Sequence, residues 1–158
     1  MVNAVFNVIV ERKVLLLFTR TLTLIWIFFI LVAGCTYSAH AFLYNQVIHF
    51  TPLFDPTFAD LLITTDFNWT SRFFWIQKFG HMTAFGIMYI LVLSSIQKEK
   101  KSLIICTVFA LITEIMQLFF GRNGRFYDVG IDFIGIFVSF AVCHFLLRGY
   151  IITRQSEA

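Results

Sequence analysis

Runs of apolar residues too long for the core of a soluble domain set the terms for this chain. "LTLIWIFFILVAG" (22–34), "FGIMYILVLSSI" (85–96) and "LIICTVFALITEIMQLFF" (103–120) are nearly continuous. Crossing the hydrocarbon core takes about 20 mostly apolar residues as helix, because lipid offers no partner to an unpaired backbone N–H or C=O. Four segments qualify, at about 14–44 with uncertain ends, 73–96, 103–120 and 126–147. Hydrophobic residues make up 59% of the 158, charged ones 13%, and there are two prolines, which excludes an ordinary soluble domain. Barrel strands are excluded by the length of the runs and the lack of ten-residue alternation. The fold class is therefore all-α: a polytopic transmembrane helix bundle of about four spans. No repeat, heptad or low-complexity linker divides the chain, so residues 1–158 read as one membrane domain.

Basic residues orient the bundle. Arg12, Lys13, Arg20, Lys98, Lys100, Lys101, Arg148 and Arg154 flank one side, against Arg72, Arg122 and Arg125 on the other, with Lys78 inside a span. The positive-inside rule then predicts cytoplasmic termini and two outer connections. The formal charge of +3 is mostly this topological excess, so no nucleic-acid partner is implied. The outer segment 45–72 is too polar to span; within it "FADLLITT" reads as a short interfacial helix. "NWT" at 68–70 fits a glycosylation sequon but carries no weight at three residues.

The three cysteines imply no disulfide framework. "LVAGC" at 31–35 looks like a bacterial lipobox, which would make Cys35 a lipidation site. The competing reading, a transmembrane helix in which small residues precede a cysteine, is favoured by the long basic region before it and the three spans after it.

Polar residues inside the last three spans fall into spaced pairs. Lys78 and His81 are i and i+3, as are Glu114 and Gln117, while Asp128 and Asp132 are i and i+4. Each pair projects from one helix face. At 1.5 Å per residue, Lys78 and His81 sit roughly 8 and 12 Å below the outer end of their span, and Glu114 and Gln117 roughly 9 and 5 Å below theirs. A charge turned to lipid costs about 2.5 to 3.5 kcal/mol at mid-membrane, so the three faces are expected to meet. "GRNGR" (121–125) supplies a tight outer turn and makes spans three and four neighbours. Lys78, Arg122 and Arg125 balance Glu114, Asp128 and Asp132, with Arg125 a candidate counter-charge for Asp132. Asp128 is also placed to cap the fourth span.

"KFGHMTAFGIMY", "EIMQLFFGR" and "DVGIDFIG" resemble, in order and spacing, the motifs of the VanZ-like family of small bacterial membrane proteins. That pattern has Lys-x-x-His with an aromatic four residues on, Glu-x-x-Gln with an Arg soon after, and Asp-x-x-x-Asn-x-x-Gly. Lys78, His81 and Phe85 match the first part, Glu114, Gln117 and Arg122 the second, and Asp128 and Gly135 the third. Gln77 stands where Asp often occurs, Phe85 where Tyr is common, and Asp132 where Asn is usual. The resemblance covers Gln77 to Gly135. It implies a cell-envelope role in the bacterial cytoplasmic membrane, the founding member being associated with low-level teicoplanin resistance, and it implies no known reaction.

The candidate binding residues are Lys78, His81, Glu114, Gln117, Arg122, Arg125, Asp128 and Asp132. An anionic lipid head group, a lipid-linked wall precursor or a lipophilic antibiotic suits such a site, since arginine grips phosphate through paired hydrogen bonds. An intramembrane enzyme is the alternative, with His81, Glu114 or Asp128 as acid/base candidates, or with His and carboxylates around a divalent metal. Neither HExxH nor Cys-x-x-Cys is present, and the reading assigns no metal and no cofactor. A proton relay lacks matching polar groups in the cytoplasmic halves. A structural charge network locking three helices is the remaining reading. His40, His49 and His144 fall outside the site as surface or interface residues.

Overall fold

The computed structural model describes residues 2–156 in backbone and residues 10–146 in side-chain surroundings. It is all-helical. Helix α1 runs Val2–Cys35, α2 Ala39–Asn45, α3 Arg72–Ile96, α4 Glu99–Phe119 and α5 Phe126–Ser156, with one 3-10 turn at Phe58–Leu62. Four stretches are long and apolar enough to cross a bilayer: Val10–Cys35, Arg72–Ile96, Glu99–Phe119 and Phe126–Leu146. The shortest has 21 residues, about 31 Å of helix, which matches a hydrocarbon core about 30 Å thick.

The first apolar run, read as 14–44, is two helices. The chain bends after Cys35, and Ser38 starts α2 by accepting the Ala41 N–H on its Oγ at 3.1 Å. Serine is favoured there because its oxygen satisfies an N–H that the first turn leaves free. The stretch "QKEKK" (97–101) between the second and third spans is mostly helical. Only Gln97 and Lys98 lie between α3 and α4, Gln97 closing α3 at φ 57° with its N–H on the Leu93 carbonyl. Glu99 opens α4 and answers the helix dipole, so the lysines that follow are helical although they are not apolar.

Helix α3 is the hub and touches α1, α4 and α5. Its closest neighbour is α5, and Gly135 is the reason. A methyl group at that position would overlap the Met82 carbonyl, so only glycine lets the two backbones approach. Phe85, Met88, Tyr89 and Val92 of α3 pack with Ile30, Cys106, Ala110 and Ile136 as the buried core. Helix α1 is tied on by polar contacts, which count where lipid gives no hydrophobic drive. Thr23 Oγ1 donates to the Leu91 carbonyl at 3.2 Å and shares a 2.8 Å bond with Ser95 Oγ, and Trp26 Nε1 donates to the Ala84 carbonyl at 2.9 Å. At the lysine-bearing end, His144 Nδ1 lies 2.9 Å from Glu99 Oε2 and ties α5 to α4.

The connection after α2 folds over the opposite end of the bundle. The Leu53 N–H donates to the Phe119 carbonyl at 2.7 Å and the Tyr37 N–H to the His49 carbonyl at 2.7 Å. "FADLLITT" forms a helix only over Phe58–Leu62, as one 3-10 turn. Many phenylalanines face outward, among them Phe18, Phe28, Phe137 and Phe145, as expected of lipid-facing bulk.

Candidate functional site

The polar faces of α3, α4 and α5 do meet, at the end of the bundle covered by the long connection. Lys78 and His81 lie one turn apart on α3, Asp128 and Asp132 one turn apart on α5, and they pair in register. Lys78 Nζ donates to Asp128 Oδ1 at 2.5 Å, with the side chains 7% and 4% exposed. The ammonium also sits 4.9 Å from the Phe74 ring centroid and 4.7 Å from that of Tyr127, where the ring faces attract it. One turn deeper, His81 Nδ1 stands 3.1 Å from Asp132 Oδ1 and 3.9 Å from Glu114 Oε1.

Glu114 holds the center of the arrangement from α4. Gln117, one turn on, donates its Nε2 to Glu114 Oε1 at 2.8 Å, and the backbone N–H of Arg125 donates to Oε2 at 3.0 Å. That N–H belongs to the residue before α5, so Glu114 supplies the cap that the sequence assigned to Asp128; Asp128 turns to Lys78 instead. Gly124 makes the arrangement possible, because a side chain there would collide with the Glu114 carbonyl. Asp132 Oδ2 is fully buried and has no hydrogen-bond partner among the described residues.

The two arginines diverge from the expected charge balance. Arg125 does not neutralise Asp132. Its Nε donates to Asp66 Oδ2 at 2.8 Å and its Nη1 to the Asp60 and Gly124 carbonyls at 2.8 and 3.0 Å. Asp66 lies in the connection and is held on its other oxygen by the Tyr127 hydroxyl, which donates at 3.1 Å. Arg122 donates its Nη1 to the Ala33 and Gly34 carbonyls at the end of α1, at 2.8 and 3.0 Å. Burial pulls its basicity below the usual range, while the charges of Glu114 and Asp128 pull it up; a guanidinium stays charged under both influences. Sequence reasoning missed Asp66, because it had already spent Arg125 on Asp132, and Gln77, which it treated only as a departure from a motif.

Two cavities meet at Gln77 and Arg122. One, of about 490 Å³, is polar and lined by Lys78, Asp128, Asp66, His40 and Tyr127. The other, of about 240 Å³, is apolar and open-sided between α1, α2 and α3, with Phe29, Leu43 and Ile76 at its rim and His81, Gln117 and Arg122 at its inner end. A charged chamber joined to an oily groove is the shape that an amphiphile fills.

No solved structure matches the chain. It is similar to the uncharacterized membrane protein YwnJ of Bacillus subtilis (strain 168), 35% identical over 113 residues, which cover 70% of this chain and 79% of that protein. A family model described as VanZ/LLP1 matches residues 16–148, reaching beyond the motif-bearing stretch to include most of α1. With the helical fold, the motif residues gathered at one end and a match over most of its length, this chain belongs to the VanZ-like family of membrane proteins.

Proposed function

We propose that this protein works in the bacterial cell envelope, as a resident of the cytoplasmic membrane with both termini inside. On this reading its site binds an anionic lipid or a lipid-linked wall precursor in the outer leaflet. The basic flanks support the orientation: eight lysines and arginines lie beside the ends opposite the site. The single observation that carries the binding reading is Arg122. It stands where the polar chamber meets the apolar groove, and its Nη1 is spent on α1 carbonyls. Among the described residues its Nε and Nη2 donors are left for a phosphate or carboxylate, which a guanidinium grips through paired hydrogen bonds. Acyl chains then lie in the groove, and Lys78 adds charge from the chamber wall. Resistance to lipoglycopeptides such as teicoplanin follows on this reading if the ligand is the antibiotic or the precursor it targets.

The test pairs Arg122→Ala with Glu114→Gln in cells. Membrane abundance is scored beside susceptibility to teicoplanin and other envelope-active compounds, and the purified proteins are tested against vesicles of phosphatidylglycerol or phosphatidylcholine. Normal abundance, a lost envelope phenotype and weakened phosphatidylglycerol binding in Arg122→Ala support the proposal. Equal binding of both lipids by the wild type overturns lipid recognition. Disappearance of both variants from the membrane leaves the charges as a structural lock.

A further inference from the structure

The geometry points to a divalent transition-cation site of the zinc type, held by His81, Glu114 and Asp132. One atom from each of the three residues lies within 4.8 Å of the others. Ligands at about 2.1 Å from a common center stand roughly 3.4 Å apart in a tetrahedron. His81 Nδ1 is already 3.1 Å from Asp132 Oδ1 and 3.9 Å from Glu114 Oε1, so small side-chain rotations close the site.

Charge demands an occupant. Glu114 and Asp132 are both 0% exposed, and among the described residues His81 is the one cationic side chain in ion-pair range of them: Lys78 pairs with Asp128 and Arg125 with Asp66, while Arg122 reaches carbonyls of α1 and neither acid. Two carboxylates thus share one imidazole inside a membrane-embedded bundle, where unpaired charge is most costly. Asp132 adds an independent sign, since its Oδ2 is buried without a partner and buried polar atoms rarely stay orphaned. A doubly charged ion answers both features at once.

The surroundings are those of a built site. Gln117 and the Arg125 N–H hold the two oxygens of Glu114, as outer contacts fix metal-binding carboxylates. A nitrogen with two carboxylate oxygens suits zinc or its first-row neighbours better than magnesium or calcium, which prefer all-oxygen shells. His81 is the one ligand with exposed surface, 18% of its side chain.

The experiment uses full-length protein in detergent micelles, stripped with chelator and titrated with ZnCl2 by calorimetry. CoCl2 serves as a spectroscopic surrogate, and thermal melts are run with and without zinc. The wild type is expected to bind one equivalent, to give a visible cobalt band of low-symmetry coordination, and to melt higher with zinc. Asp132→Asn, which keeps shape and removes one ligand charge, is expected to weaken binding at least 100-fold and abolish the zinc-dependent shift. Glu114→Gln is the second variant should Asp132→Asn fail to fold, and His49→Ala is the control that leaves binding unchanged. Absence of a one-equivalent site in the wild type overturns the proposal, as does wild-type affinity in either ligand variant.

Discussion

Removing Lys78 while leaving Asp128 should cost far more than removing both. The pair is buried on both sides, with side chains 7% and 4% exposed, and breaking a buried pair from one side costs about 3 to 5 kcal/mol. Lys78→Met is therefore expected to lose about 3 to 5 kcal/mol. Asp128→Leu should lose less, because the ammonium keeps the faces of Phe74 and Tyr127, worth about 0.5 to 2 kcal/mol. Lys78→Met combined with Asp128→Leu removes both charges and should fall within about 1 kcal/mol of the wild type, as replacing a buried pair with apolar groups often does. Reversible unfolding in mixed detergent micelles, followed by far-ultraviolet circular dichroism at pH 7, measures all four proteins. Additive losses, with the double variant as unstable as the sum of the singles, would refute the reasoning, since additivity means the charges do not interact.

Other outcomes follow from single contacts. Gly135→Ala should destabilize by about 1 to 3 kcal/mol, the usual cost of overpacking, because α5 must move off the Met82 carbonyl; the same unfolding assay reads it, and Gly130→Ala, with open space around it, is the control. Asp66→Ala strands the Arg125 Nε and the Tyr127 hydroxyl. It should raise proteolysis of the connection between α2 and α3 while the melting of the helical bundle changes little, which limited digestion and a thermal melt on one sample establish.

The bundle was legible because length and apolarity alone define a span, and the meeting of the polar faces was legible because spacing defines a face. Lys78 and His81 sit a turn apart, as do Asp128 and Asp132, so two helices at the same depth can pair them in register, and they do. What escaped were partners without a sequence mark. Arg122 binds backbone carbonyls of α1, which any residue carries, and Arg125 binds Asp66 from a connection with no periodicity. The break after Cys35 was hidden because apolar residues resume in α2, and the start of α4 at Glu99 because charged residues form helix as readily as apolar ones. Gly135 was visible as a motif position, but its cause, the Met82 carbonyl across the helix pair, lies in three dimensions.

The groove beside α1 is flanked by residues that themselves face outward, Phe29, Leu43 and Ile76. For the lipid ligand proposed above, its natural concentration scale is mole fraction in the bilayer. A guest arriving along that side diffuses in two dimensions, already stripped of water around its chains, and its occupancy follows the lipid composition of one leaflet and not its abundance in the medium. Detergent tails are competitors for the same space, so affinities measured in micelles will understate those in membranes. On the same proposal a water-soluble head-group analogue would be a poor mimic, because it brings the charge for Arg122 without the oily portion that the groove would take.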